Sequence, residues 1–348
     1  VSGSAMRDVL MLRRTFALAA QGPQADPNPR VGAVILDAQA HVAGEGFHGG
    51  AGTPHAEAQA LAAAGPAARG GTCYVSLEPC NHTGRTPPCA QALIEAGIVR
   101  VVVASRDPNP IARGGLETLR RHGVEVVEGL LAQESRALNR EWSHALITGR
   151  PFVTWKFAST LDGRVAAADG TSRWITGDAA RADVHARRAR CGAVMVGTGT
   201  VLTDDPALTV RGPDGELAQR QPLRVVMGQR CPQIRADARV RSDEAPTLLL
   251  PTRDPAAALA ELAAREVRHV FCEGGPTLAA ALLREGLIDE VVAYLAPALL
   301  GAGAGSLGDL GITTIEDTVR LIPTDVTQLG RDIRVIATPR RHTPKESC

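Results

Sequence analysis

Apolar positions recur at helical spacing from Met6 to Gly22, with Val9, Leu12, Phe16 and Ala19 on one face. The pattern then changes. Val31 to Leu36 is a continuous apolar run of strand length, Val42 to Phe47 is a second short one, and turn-like residues between them predict a hairpin. His55 to Ala64 is alanine-rich and predicts a helix. Thr72 to Leu77 reads as a strand, Pro88 to Ala96 as a helix and Val99 to Ala104 as a buried strand, with alternation continuing to about Val127. Leu130 to Leu146 predicts a single polar-rich helix, and Thr148-Gly149-Arg150-Pro151 is turn chemistry that sets a domain boundary. The two domains expected are therefore 6–149 and 150–340.

Beyond the turn a second series begins. Strands are predicted at Phe152 to Phe157, Ala193 to Val196, Leu223 to Val226, Thr247 to Leu250, Val267 to Cys272 and Val291 to Leu295, and helices at Asp178 to Arg190, Pro255 to Ala264 and Thr277 to Glu285. Strands separated by helices imply a largely parallel or mixed sheet, so both halves belong to the α/β class. The basic, polar tail Arg340 to Cys348 is expected to fray. Val1 to Ala5, ahead of Met6, is set aside as an extension.

Length agrees with two domains, since 348 residues is long for one core. Formal net charge is +1 and aromatics are 3% of the chain. A nucleic-acid groove needs phosphate neutralisation and stacking platforms, and no basic stripe interleaved with aromatics provides them. No apolar run approaches a membrane span. Seven irregularly spaced cysteines predict a reducing, cytoplasmic setting and metal or core roles rather than disulfides.

The strongest chemical signal is His55-Ala56-Glu57 followed by Pro79-Cys80 and then Cys89. A histidine, two thiolates and a carboxylate kept off the metal are the kit of a zinc-dependent deaminase. Three protein ligands leave the fourth zinc position to water, whose pKa the metal lowers towards neutrality. Glu57 would carry protons from that water to the departing amine. Eight residues separate Cys80 from Cys89, where the general pattern has two. A structural zinc knot is the competing reading and needs a fourth ligand, which His82 or Cys73 could supply.

Two glycine-bearing segments mark the second half: Gly197-Thr198-Gly199-Thr200 after one strand, and Cys272-Glu273-Gly274-Gly275-Pro276-Thr277 after another. Such turns admit backbone amides to a phosphate, although the third glycine of a dinucleotide fingerprint is missing and ordinary tight turns are the alternative. Arg187, Arg188 and Arg190 read either as a solvated helix face or as a source of one phosphate anchor.

Taken together the motifs resemble the bifunctional deaminase–reductase family of riboflavin biosynthesis, over about Met6 to Ala337. Pro27 to Gly32, His55 to Glu57 and Glu78 to Cys89 carry the likeness in the first half. Arg150 to Lys156, Ser159 to Gly163, Ser172 to Thr176, Asp204 to Arg211 and Glu273 to Leu278 carry it in the second. The resemblance implies a cytidine-deaminase-like three-layer domain followed by a dihydrofolate-reductase-like domain. It implies deamination of 2,5-diamino-6-ribosylamino-4(3H)-pyrimidinone 5′-phosphate, then NADPH reduction of the ribosyl chain to ribityl. The competing function is a nucleic-acid or nucleoside base deaminase with an accessory domain, which predicts a basic patch and a short C-x-x-C.

Carried over by position, the resemblance makes His55, Cys80 and Cys89 ligands of one Zn2+ per chain and Glu57 the proton shuttle. Asn28, His48, His82 and Arg85 fall at positions that hold the pyrimidine and its phosphorylated sugar; the two histidines could also be structural. Ala158, Trp174, Thr200, Asp204, Gly275, Pro276 and Thr277 fall at NADPH positions, with a buried core role the alternative for Trp174. Ser172, Arg188, Leu208, Arg211 and Glu273 fall at substrate positions, with Arg188 and Arg211 expected on the phosphate. Gly228 stands where the family often has aspartate. Partners are expected to be phosphorylated small molecules, with neither nucleic acid nor membrane, and a homo-oligomer is expected.

Overall fold

The computed structural model describes residues 3–82 and 87–340, and the chain divides into two compact units, Val1–Gly149 and Arg150–Cys348. The expected frayed tail lies outside the described residues, apart from Arg340.

The first unit orders α1 (Gly3–Ala19), β1 (Gly32–Leu36), β2 (Val42–Phe47), α2 (Ala56–Ala64), β3 (Thr72–Val75), α3 (Cys89–Glu95), β4 (Arg100–Val103), α4 (Gly115–Arg121), β5 (Glu125–Glu128), α5 (Ala132–Leu138) and α6 (Arg140–Thr148). Its sheet runs β2-β1-β3-β4-β5, with β1 antiparallel to β2 and β3 and the remaining pairs parallel. Strand alternation sorts the core into two layers. Val34, Tyr74 and Val102 pack on Leu12 of α1, whereas Ala33, Ile35, Cys73, Val75, Val101 and Val103 face α2, α3 and α4. This is the three-layer arrangement expected.

One helix was predicted over Leu130 to Leu146; two are found. Asn139 breaks it at φ −120°, ψ 33°, and its buried amide pairs with both backbone groups of Arg30, at 2.9 and 2.8 Å. Asparagine favours this exchange, because its short amide competes with the helical backbone.

The second unit contains β6 (Phe152–Thr160), α7 (Asp178–Arg188), β7 (Ala193–Gly197), α8 (Thr198–Asp204), β8 (Leu223–Met227), β9 (Thr247–Leu250), α9 (Pro255–Ala264), β10 (His269–Cys272), α10 (Pro276–Arg284), β11 (Glu290–Ala296), β12 (Leu321–Leu329) and β13 (Asp332–Pro339). The sheet order is β12-β13-β11-β6-β10-β7-β8-β9. The strands from β11 to β9 are all parallel, and the β12–β13 hairpin adds antiparallel strands at the β11 edge. Helices α9 and α10 cover one face; α7 and α8 cover the other. The C-terminal hairpin and α8 were not predicted. Pro323 and the polar residues of β12 disguise an edge strand, and Gly199 between two threonines is poor helix material.

Candidate active sites and family membership

Alanine and glycine set the first site. Ala56, Ala60 and Ala64 of α2 are buried against β2, and methyl groups built on Gly44 and Gly46 would lie 2.2 and 2.4 Å from the carbonyl oxygens of Ala60 and Ala56. Only glycine lets the helix rest backbone-to-backbone on the strand. That contact places His55 at the N-cap of α2 and Glu57 in its first turn. Cys80 sits in the loop after β3, and Cys89 is the first residue of α3.

Nδ1 of His55 lies 3.3 Å from Sγ of Cys89 and 3.6 Å from Sγ of Cys80, and the three ligand atoms fall within 4.8 Å of one another. A tetrahedral zinc with ordinary Zn–S and Zn–N bonds has N···S edges of about 3.5 Å. The donor set and its spacing therefore fit zinc. Cys73, one possible fourth ligand, is fully buried in the core of β3. His82 is not part of the cluster. Among the described residues, the three-ligand arrangement is the one present.

The cluster is electrostatically uneven. The Cys89 thiol donates to Cys80 and, with help from His55, holds Cys80 well below the ordinary thiol value, while the same sharing pushes Cys89 up. His55 is raised, first by its bond to Cys80. Glu57 is 3% exposed; burial, then the Cys80 charge, pushes it up to about 7.

Around the cluster, the amide nitrogen of Asn28 donates to Nε2 of His48 at 3.1 Å, and Nδ1 of His48 donates to the Pro54 carbonyl at 3.2 Å. The His48 ring packs edge-on against His55 at 5.3 Å, and burial lowers its pKa. Nδ1 of His82 is buried without a hydrogen-bond partner among the described residues. Arg85 lies outside them.

Two positioning carboxylates were given no role by the sequence, although Glu78 opens one of its motifs. Asp26 accepts from the Asn28 and Ala51 amides, tying the Asn28 and His48 loops together. Buried Glu78 accepts from the Asp107, Gly114 and Leu116 amides just ahead of Cys80. A methyl group built on Gly115 would lie 1.9 Å from the Pro79 carbonyl oxygen, so Gly115→Ala is expected to displace the Cys80 loop. It should cost about 1–3 kcal/mol and weaken zinc, read by thermal unfolding and by metal titration.

In the second unit the glycine turns end β7 and β10, which are neighbours in the sheet. Methyl groups built on Gly274 and Gly275 would lie 3.1 Å from the Gly197 amide nitrogen and 3.3 Å from Thr200 Oγ1. The turns are thus side by side, bringing Thr200, Gly275 and Pro276 together. Thr277 is exposed beside them and Asp204 closes α8. Ala158 lies on β6 opposite Tyr294. Trp174 is 68% exposed, so it is not a core residue; it lines an open groove with Arg181, Leu329 and Arg331, and Arg181 stacks on its ring at 4.6 Å.

Of the substrate positions, Arg188 and Glu273 form a partly buried, two-pronged pair between α7 and the end of β10, and Arg188 also donates to the Thr209 carbonyl at 2.8 Å. Burial opposes the Glu273 charge, but Arg188 outweighs it and holds the carboxyl below its ordinary value. Lys156 stands 3.9 Å from Glu273 with its pKa lowered by burial; its motif was visible in sequence but its place here was not. His185, also missed, accepts from the Arg211 amide at 3.1 Å. The Arg211 guanidinium pairs with Glu244 at 2.9 Å in a half-exposed position. Leu208 is buried at φ +54°, and Ser172 is half-buried. Glu273→Ala would leave Arg188 and Lys156, both partly buried, without their acid. A loss of about 1–3 kcal/mol is expected in denaturant unfolding.

Residues 6–105 match the cytidine and deoxycytidylate deaminase zinc-binding region, and residues 151–335 match the RibD C-terminal domain. The chain belongs to the RibD family. A RibD of Mycobacterium tuberculosis is 49% identical over 88% of this chain and 90% of its own length. That of Escherichia coli K12 is 39% identical over 94% and 98%. The structure of Acinetobacter baumannii RibD superposes with a TM-score of 0.88 at 38% identity, covering 97% of this chain and all of that one. A Thermotoga maritima diaminohydroxyphosphoribosylaminopyrimidine deaminase/5-amino-6-(5-phosphoribosylamino)uracil reductase gives 0.87 at 34% identity, covering 96% and 99%. The chain is a bifunctional deaminase and reductase of riboflavin biosynthesis, and the reading as a base deaminase with an accessory domain is not favoured. No helix among the described residues is long and apolar enough to cross a membrane.

Proposed function

We propose that residues 6–149 deaminate 2,5-diamino-6-ribosylamino-4(3H)-pyrimidinone 5′-phosphate and that residues 150–340 reduce the ribosyl chain of the product with NADPH. The observation that carries the first step is the trio His55, Cys80 and Cys89, with buried Glu57 beside it, inside the deaminase zinc-binding match. These three side chains hold one Zn2+. The metal supplies Lewis-acid activation of water at neutral pH. Glu57 stays off the metal and moves the proton from the water to the leaving amine. Asn28 and His48, each fixed by the other, hold the pyrimidine, while His82 and Arg85 hold the phosphorylated sugar.

In the second unit the paired glycine turns, with Thr200, Asp204, Pro276 and Thr277, bind the cofactor, and Ala158 and Trp174 complete its site. NADPH supplies the reducing chemistry, and the protein supplies orientation and electrostatics. Ser172, Leu208, Arg188, Arg211 and Glu273 hold the substrate. Arg211 is the stronger phosphate anchor, because its half-exposed pair with Glu244 is cheap to exchange. Arg211→Ala is expected to weaken substrate binding about ten- to a hundredfold and leave NADPH affinity unchanged, read from KM and cofactor titration. The reading is tested by chelating zinc from the full chain. Ammonia release should stop, while NADPH consumption on the deaminated intermediate continues. Persistent ammonia release without metal contradicts it.

A further inference from the structure

The parallel strands of the second unit open their C-terminal ends on one edge, where ligands of such sheets lie. The glycine turns occupy the ends of β10 and β7. Next outward come β8 and β9. β8 ends at Met227 and is followed by Gly228, Gln229 and Arg230; β9 ends at Leu250, with Arg253 shortly after. The Gly228 amide donates to the Leu250 carbonyl at 2.9 Å, so the two ends are stitched together.

Arg230 reaches back over the first glycine turn: a methyl group built on Gly199 would lie 3.1 Å from its Nη2. Its side chain is exposed, and among the described residues no carboxylate pairs with it. The end of β8 itself bears no acid. Gly228 sits at φ +142°, and a methyl group there would lie 2.6 Å from Thr198 Oγ1, so the position excludes a carboxylate side chain. A free ribose 2′-hydroxyl is best held by an acid, and a 2′-phosphate by an arginine. The end of β8 offers the arginine and leaves no room for an acid at Gly228.

We propose that Arg230 binds the 2′-phosphate of the nicotinamide cofactor and sets the preference for NADPH over NADH. The inference rests on the reading of the second unit as a nicotinamide-dependent reductase. Among the described residues the Arg230 guanidinium has no carboxylate partner to give up, and its planar fork matches a phosphate. NADH lacks the group and gains nothing from it, so the residue acts on the difference between the cofactors.

The test is calorimetric binding of NADPH, NADH and adenosine 2′,5′-bisphosphate to the full chain. Arg230→Ala should weaken NADPH and the bisphosphate about ten- to a hundredfold and leave NADH unchanged. Arg230→Lys should recover part of the loss, since an ammonium keeps the charge without the fork. Thermal unfolding of both variants should match the parent, because Arg230 is a surface residue. A parent that prefers NADPH, with an unchanged preference in Arg230→Ala, overturns the assignment alone. A parent that binds neither dinucleotide overturns the reductase reading beneath it.

Discussion

Cys80→Ser should lose zinc and ammonia release together while keeping NADPH-dependent reduction of the deaminated intermediate. A neutral hydroxyl is a poor ligand for zinc, which favours thiolate and imidazole. Loss of an outer-shell partner alone costs about 10–100-fold in metal affinity, and loss of a direct ligand should exceed that. The surroundings of Cys80 raise the effect further. Its sulfur stands 3.6 Å from Nδ1 of His55 in a trio of donor atoms within 4.8 Å of one another, so its loss removes one of three converging ligands. Metal content by elemental analysis and ammonia by a coupled assay check the two losses. A variant that keeps a full zinc complement and its ammonia release would show that Cys80 is no ligand.

Glu57→Gln separates metal binding from proton transfer. Glutamine fills the same buried space in the first turn of α2 and keeps all three ligand side chains, His55, Cys80 and Cys89. Zinc should therefore remain at one per chain. Ammonia release should fall about 10²–10⁴-fold, because the amide can neither take a proton from water nor pass it to the amine. Near-parental ammonia release with metal retained would remove Glu57 from the proton path. Loss of zinc in this variant would instead make the carboxylate a ligand, against the geometry of the trio.

The first site was legible in sequence because its chemistry is local. His55 and Glu57 share one helical turn, and Cys80 and Cys89 bracket one short segment. The supports of that site were less visible. Asp26 and Glu78 act through backbone amides of loops that only the fold brings near, so neither role was visible, even though Glu78 opens the motif that ends at Cys89. The second site shows the same division more strongly. Its two glycine turns read plainly, but the Arg188–Glu273 pair spans 85 positions and depends on α7 lying over the end of β10. Lys156 acquires its meaning from burial beside that pair, and His185 from the Arg211 amide. Long apolar strands such as β7 and β8 were read correctly because burial on both faces leaves continuous hydrophobic runs. The β12–β13 hairpin was missed for the opposite reason: β12 lies at the sheet edge, largely exposed, so its sequence carries little burial pattern.

The central claim is that one chain first deaminates and then reduces. It is tested most directly by supplying the diaminopyrimidine ribosylamine phosphate to the zinc-loaded full chain and following ammonia and NADPH separately. Without NADPH, ammonia should be released and the deaminated ribosyl product should accumulate. With NADPH, one equivalent should be consumed for each ammonia, after a lag that adding the deaminated product abolishes. Consumption of NADPH without ammonia, or ammonia release that requires NADPH, would contradict that order and with it the account.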